Sequence, residues 1–329
     1  MLKRANELAR LGLGLTGSNP IVGAVVMDGS GKVIGEGFHK NGPHAEVVAL
    51  EQAADLAKGA TLYITLEPCN HQGKTGPCTE AIIKAGIAKV VYAVNDPNLL
   101  ASGGAKALAA AGIEVIFNSE VAEIAQSNRA WLHKIKNKRP YFIWKIATTL
   151  DGRTAAIDGS SKWITGAESR AEVSKLRSAS DAILIGTATA LADNPHLIPR
   201  GLEETRKTNP VRIVMGLREI PNDFNLHNDA AETLFLRSHD FSELLTLCNE
   251  REFNQVLVES GSELGTALLL AGLIDELVIF QAASLLGTGL SFIGDLGARN
   301  IKEKMDFVIR DVAQFGNDLK INLTKETGI

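Results

Sequence analysis

Residues 44–69 read HAEVVALEQAADLAKGATLYITLEPC, a helical pattern over 44–57 that leads into a strand pattern over 61–66 and ends on Pro68-Cys69. Apolar residues recur at helical spacing in the first part, whereas TLYITL is short, β-branched and aromatic, so the stretch is one turn of an α/β layered domain. Its chemically active side chains, His44, Glu46 and Cys69, fall at a helix start and a strand end. Working outward, IVGAVVM (21–27) and KVIGEGF (32–38) flank the turn DGSG and read as a hairpin. TEAIIKAG (79–86) reads as a helix, KVVYAV (89–94) as a strand, ASGGAKALAAAG as a helix and IEVIF as a strand, which ends the layered domain near Asn118. A helix is expected over 119–138. Lys138-Arg139-Pro140 ends it, because proline disfavours helix in the residue before itself, and this sets the expected boundary between domains 1–139 and 140–329.

A second α/β series begins at YFIWKIA (141–147) and continues through AILIG (182–186), VRIVM (211–215), ETLFL (232–236), QVLVES (255–260) and DELVIF (275–280). Helical stretches separate several of these strands, as expected of a second domain with its own sheet. GLEETRKTNP (201–210) reads as a mobile loop. A chain of 329 residues exceeds what one core usually organises, which agrees with two domains.

Hydrophobic residues make up 45% and charged residues 22%, the balance of a globular chain rather than a disordered one. No apolar run approaches the ~20 residues of a membrane span, and MLKRANELARLGLG is an amphipathic helix rather than a signal peptide. A cytoplasmic protein without a membrane partner is the expectation. Net charge is −4, with 15 Lys+Arg against 12 Asp+Glu in residues 1–139 and 19 against 26 in the rest, so neither half resembles a nucleic-acid binder. The densest basic run, Lys134, Lys136, Lys138 and Arg139, reads as a solvated linker face.

Three cysteines cannot form a disulfide framework for this length, and an odd count points to metal binding or free thiols. A neutral imidazole from His44 and two thiolates from Cys69 and Cys78 are good zinc ligands, and three protein ligands leave a fourth tetrahedral position open to water. Cys78 opens a helix after Pro77, where orphan N–H groups and the helix dipole would favour its thiolate. Two thiolates cancel the charge of the metal, so an adjacent base is needed, and Glu46 stands two residues from a ligand in the first helical turn. That set suits hydrolytic attack on an amidine-type ring carbon, with Glu46 carrying a proton to the ring nitrogen and on to departing ammonia. A closed structural site would need a fourth ligand, for which His71 is the nearby candidate, but it gives Glu46 no purpose. Cys248 reads as a packed helix thiol.

The H-x-E followed by P-C…C resembles the cytidine deaminase superfamily. Eight residues separate Cys69 from Cys78, where most members have two. With Ser18-Asn19-Pro20-Ile21-Val22-Gly23 upstream and Asn95-Asp96-Pro97-Asn98 downstream, the pattern is similar to the deaminase half of the bifunctional riboflavin-biosynthesis deaminase/reductase family. The resemblance covers essentially the whole chain. It implies that Asn19, His71, Lys74 and Thr75 hold the pyrimidine and its phosphoribosyl arm. The chain departs from the family at Ser18, where proline is usual, and at Ala101-Ser102-Gly103-Gly104, which lacks an arginine.

Residues 140–329 contain no G-x-G-x-x-G after the first strand, so a Rossmann assignment has no support. Instead Glu259-Ser260-Gly261-Ser262-Glu263-Leu264-Gly265-Thr266-Ala267 follows a strand and opens a helix, an arrangement that presents backbone N–H groups to an anion. Together with Lys145-Ile146-Ala147 through Asp151-Gly152-Arg153, Ser161-Lys162-Trp163, Leu176-Arg177-Ser178 and Gly186 through Asp193, this resembles the reductase half of the same family. The implied architecture is α/β throughout, a cytidine-deaminase-like N-terminal domain followed by a dihydrofolate-reductase-like C-terminal domain. The resemblance implies NADPH against Ala147, Trp163, Thr189, Asp193 and residues 261–267, and the phosphorylated substrate against Ser161, Arg177, Leu197, Arg200 and Glu259. Lys145 and Asp151 would orient the sugar. Arg177 and Arg200 suit a phosphate because guanidinium forks match its oxygens. Met215-Gly216-Leu217 departs from the Asp-Ser/Thr usual after this strand.

These features imply zinc-dependent deamination of 2,5-diamino-6-(5-phosphoribosylamino)pyrimidin-4(3H)-one, then NADPH reduction of 5-amino-6-(5-phosphoribosylamino)uracil to the ribitylamino phosphate. The implied partners are small molecules, with a homo-oligomer allowed. A deaminase acting on nucleic acid is disfavoured by the acidic balance and the long loop between the cysteines. A zinc-stabilised binding module without turnover would be distinguished by its failure to release ammonia.

Overall fold

The computed structural model describes residues 1–71, 76–98, 101–119, 122–201 and 209–325. The chain divides into two compact units, Met1–Lys138 and Arg139–Ile329. The loop expected at 201–210 lies mostly outside the described residues.

In the first unit, strands β1 (Gly23–Met27), β2 (Val33–Phe38), β3 (Thr61–Leu66), β4 (Lys89–Val94) and β5 (Glu114–Phe117) form one sheet in the order β2-β1-β3-β4-β5. The hairpin β1–β2 and the pair β1–β3 are antiparallel; β3–β4 and β4–β5 are parallel. Helices α1 (Leu2–Arg10) and α5 (Ala122–Ser127) cover one face, burying Val25, Val91 and Ala93. Helices α2 (Ala45–Ala53), α3 (Cys78–Lys84), α4 (Gly104–Ala110) and α6 (Arg129–Asn137) bury the other face over Ala24, Val26, Leu62, Ile64 and Val90. Burial on both faces is why the strands read as continuous apolar runs. Gly37 lets α2 lie directly on β2, since a Cβ there would meet the Ala45 carbonyl oxygen at 2.3 Å. That contact fixes the helix start carrying His44 and Glu46.

The helix expected over 119–138 is two helices. Asn128 interrupts it, because its buried amide accepts from the Ile21 N–H at 3.0 Å and donates to the Ile21 carbonyl at 2.7 Å. The side chain takes the place of a strand partner just before β1. Asn128→Ala leaves two buried backbone groups unpaired, and it is expected to cost the first unit about 2–4 kcal/mol, measurable by denaturant unfolding. An unchanged midpoint would contradict this role.

The second unit contains strands β6 (Tyr141–Thr149), β7 (Arg153–Ala155), β8 (Ala182–Gly186), β9 (Val211–Met215), β10 (Thr233–Leu236), β11 (Gln255–Val258), β12 (Glu276–Ala282), β13 (Leu290–Ser291), β14 (Val308–Phe315) and β15 (Asp318–Thr324). Eight of them form a sheet in the order β10-β9-β8-β11-β6-β12-β15-β14, while β7 pairs with β13. The pairs from β10 to β12 are parallel, and the β14–β15 hairpin adds antiparallel at the end. Helices α7 (Ala167–Ser178), α8 (Thr187–Asp193), α9 (Phe241–Glu250) and α10 (Ser262–Leu270) complete the unit. Cys248 is packed in the core with Phe142, Trp144 and Leu244, as expected. Among the described residues no helix is long and apolar enough to cross a membrane.

Candidate active sites

His44 caps the start of α2 in extended conformation, Cys78 is the first residue of α3, and Cys69 follows β3 through Glu67-Pro68. Their ligand atoms lie within 4.8 Å of one another, with His44 Nδ1 at 3.1 Å from Cys78 Sγ and 3.5 Å from Cys69 Sγ. Ligands on a tetrahedral zinc stand roughly 3.5–3.8 Å apart, so the cluster fits the ion with little adjustment. The Cys78 N–H donates to Cys69 Sγ at 3.4 Å. The start of α3 therefore supports Cys69 and not, as expected from sequence, the Cys78 thiolate. Hydrogen bonds from the Cys78 side chain and His44 lower the Cys69 thiol, whereas the Cys69 sulfur and burial push Cys78 up. Two adjacent sulfurs cannot both ionise cheaply without a cation, and a divalent ion resolves the conflict.

Glu46 lies in the first turn of α2 and is 3% exposed. Burial pushes its carboxyl up to about 7, with the Cys69 sulfur adding to the effect and His44 opposing it. Asn19 is exposed on the turn before β1, and its Nδ2 lies 3.5 Å from His39 Nε2. His39 was missed in sequence. It is buried, its Nδ1 is 3.1 Å from the Pro43 carbonyl oxygen, and its ring meets His44 edge-on at 5.4 Å. Its only sequence signal is a histidine five residues before a ligand.

Glu67 was also missed: its carboxylate accepts from the N–H groups of Asp96, Gly103 and Ala105, fastening the turn whose Ala101 packs on both cysteines. A Cβ on Gly104 would meet the Pro68 carbonyl oxygen at 1.8 Å, which leaves no room for a side chain at that position. His71 is half-buried beyond Cys69, and Lys74 and Thr75 lie outside the described residues.

The second unit contains a cavity of about 1700 Å³. Lys145, Ser161, Arg177, Leu197, Arg200 and Glu259, expected on the substrate side, all line it. Ala147, Trp163, Thr189, Asp193, Gly261, Ser262, Glu263, Leu264 and Ala267, expected on the cofactor side, line it too. Thr189 Oγ1 accepts from the Gly261 N–H at 3.3 Å, joining α8 to the start of α10. Leu217 presents an apolar side chain to the same cavity.

Three residues are not in the lining. Asp151 is turned to the backbone N–H groups of Leu286 and Gly287 and to the Thr149 hydroxyl, which holds its carboxyl down at about 2. Thr266 is buried, its hydroxyl accepting from the Gly294 N–H at 2.8 Å. Gly265 is small for packing and not for approach to an anion, because a Cβ there would sit 2.0 Å from the Trp144 indole.

Arg177 is also less free than its sequence context suggested. It donates to Glu259 at 2.6 and 3.0 Å and to the Ile198 carbonyl at 3.1 Å, and Lys145 Nζ approaches Glu259 at 3.0 Å. Burial alone would push the Glu259 carboxyl up; the charges of Arg177 and Lys145 outweigh it and hold it well below the usual carboxylate range. Arg200 is exposed at the cavity wall, with its backbone N–H on Ser174 Oγ at 3.2 Å.

Residues 1–94 match the cytidine and deoxycytidylate deaminase zinc-binding region, and residues 140–321 match the RibD C-terminal domain. The riboflavin biosynthesis protein RibD of Mycobacterium tuberculosis is 42% identical over 314 residues, covering 94% of this chain and 92% of that protein. The solved structure of Acinetobacter baumannii RibD is 37% identical with a TM-score of 0.89, over 98% of this chain and 97% of that one. A diaminohydroxyphosphoribosylaminopyrimidine deaminase/5-amino-6-(5-phosphoribosylamino)uracil reductase from Thermotoga maritima is 34% identical with a TM-score of 0.89, over the same shares. With a zinc-type His/Cys/Cys cluster in its first unit and a reductase domain as its second, the chain belongs to the RibD family, bifunctional enzymes of riboflavin biosynthesis with deaminase and pyrimidine reductase domains.

Proposed function

We propose that the first unit deaminates 2,5-diamino-6-(5-phosphoribosylamino)pyrimidin-4(3H)-one and the second reduces 5-amino-6-(5-phosphoribosylamino)uracil with NADPH. The observation that carries the first half is the convergence of His44, Cys69 and Cys78 beside a buried carboxylate. His44, Cys69 and Cys78 would hold zinc, which when bound would supply a polarised water for Glu46 to deprotonate. Glu46 takes one proton from the attacking water and passes it to the ring nitrogen, then takes the proton of the new hydroxyl and passes it to the amine as the C–N bond breaks and the carbonyl forms, a task suited by a carboxyl that burial has brought near neutrality. Asn19, His71, Lys74 and Thr75 hold the pyrimidine and its phosphoribosyl arm, Asn19 at the base edge and Lys74 at the phosphate.

For the second half, NADPH supplies the hydride when bound. The start of α10, where Thr189 holds the Gly261 N–H, would form the cofactor wall together with Asp193, its positive helix end favouring the pyrophosphate. Lys145, Glu259 and Arg177 form a fixed polar cluster that orients the sugar, and Arg200, with the positive charge of Arg177 in the same cavity lining, takes the substrate phosphate.

Metal analysis and NADPH titration of the purified chain test both halves. One zinc per chain and saturable NADPH binding are expected, and Cys78→Ala should lose the zinc while keeping the NADPH titration. Full zinc retention in Cys78→Ala would remove the assigned ligand set, and absence of NADPH binding by the wild type would remove the cofactor assignment.

A further inference from the structure

Helix α7 gathers the polar features of one cavity wall. Arg170 stacks its guanidinium on the Trp163 ring at 4.5 Å, Ser174 accepts from the Arg200 N–H, and Arg177 grips Glu259. The spacing 170, 174, 177 puts all three on one helical face. Their placement therefore depends on how far α7 is slid and rolled against the sheet.

Strand β15 fixes both. Asp318 and Lys320 are two residues apart, so they project from the same face of the strand. The buried Asp318 carboxylate accepts from the Gly166 N–H at 2.7 Å and from the Ser169 hydroxyl at 2.6 Å, which anchors the first turn of α7 along its axis. Lys320 Nζ donates to Glu172 Oε1 at 2.8 Å, with both side chains largely buried, and this second point stops the helix from rolling about the first. Charge-assisted bonds in such surroundings are roughly twice as strong as neutral ones.

We infer that Asp318 and Lys320 are positioning residues for the substrate arm of the reductase, acting through α7 on Arg177 and Arg200. The inference rests on the reading above that these arginines take the phosphate. Of the residues assigned to the cofactor, Thr189 and Gly261 stand on α8 and at the start of α10, and Trp163 touches α7 through Arg170, so cofactor affinity should change less than substrate KM when either residue is replaced.

The test uses the full chain, with kcat and KM for 5-amino-6-(5-phosphoribosylamino)uracil, NADPH affinity, and ammonia release as a control on the first unit. Asp318→Ala is expected to raise KM about tenfold or more, with kcat and NADPH affinity changed about twofold or less. Asp318→Asn, which keeps an acceptor oxygen, should recover part of that loss. Lys320→Met is the milder variant should Asp318→Ala fail to fold; it should raise KM about threefold, and the exchange Glu172→Lys with Lys320→Glu should bring it back. Unchanged KM in folded Asp318→Asn and Lys320→Met, or KM and NADPH affinity weakening in parallel, would overturn the inference. Arg200→Ala separates it from the reading beneath: unchanged KM there defeats the phosphate assignment itself, whereas raised KM there beside normal KM in the β15 variants defeats the positioning role alone.

Discussion

Glu46→Gln is expected to keep its zinc and to lose deamination by roughly 10²–10⁴, the contribution of a general acid/base group, or more because one residue serves several proton transfers. The substitution spares His44, Cys69 and Cys78, and it replaces a buried carboxyl by an amide of nearly the same shape, so packing at the start of α2 should survive. What it removes is the group that can hold and release a proton near neutral pH. The reductase activity of the same molecule is the control, since Glu46 lies wholly in the first unit. Near-normal ammonia release by the zinc-loaded variant would take Glu46 out of the mechanism.

Arg177→Ala is expected to affect the second unit more broadly than loss of a phosphate contact would. It strands Glu259 in the protein interior with Lys145 as its remaining cation, and breaking a buried pair of this kind costs about 3–5 kcal/mol. The Glu259 carboxyl is held below its ordinary value, so its contribution to stability is fully present above pH 4.5 and is lost as the pH falls below that, toward the depressed folded value. Removing Arg177 lets the folded value climb, so the variant should lose less stability on acidification than the wild type. Denaturant unfolding of the second unit at falling pH checks this. A variant with wild-type midpoints at every pH would show that the pair does not hold the site together.

The zinc cluster was legible in the sequence because its parts are local: a ligand at a helix start, a ligand at a strand end, and a third after Pro77. The reductase cavity was legible through five short motifs, most of whose singled-out residues line it. What escaped is non-local. Asn128 looks like any polar helix residue until it pairs with Ile21, 107 residues away. The β14 strand VIRDVAQF is mostly exposed at the sheet edge and so lacks the apolar run by which the other strands declare themselves. Gly265 belongs by its motif to the run expected to present backbone N–H groups to an anion, but only the folded chain brings the Trp144 indole to within 2.0 Å of a Cβ at that position. Arg177 is expected from sequence to face a phosphate, and nothing local to it shows that its fork pairs with Glu259, 82 residues away.

The central claim is that one chain performs both steps in order. Incubation of the zinc-loaded protein with 2,5-diamino-6-(5-phosphoribosylamino)pyrimidin-4(3H)-one, with and without NADPH, tests it most directly when ammonia, NADPH oxidation and product mass are followed together. Without NADPH, ammonia should appear and the phosphoribosylaminouracil should accumulate; with NADPH, that compound should give way to its ribitylamino phosphate as NADPH is oxidised. An intact diaminopyrimidine after incubation with zinc-loaded protein, or a deaminated product that persists unreduced in the presence of NADPH, would contradict the account.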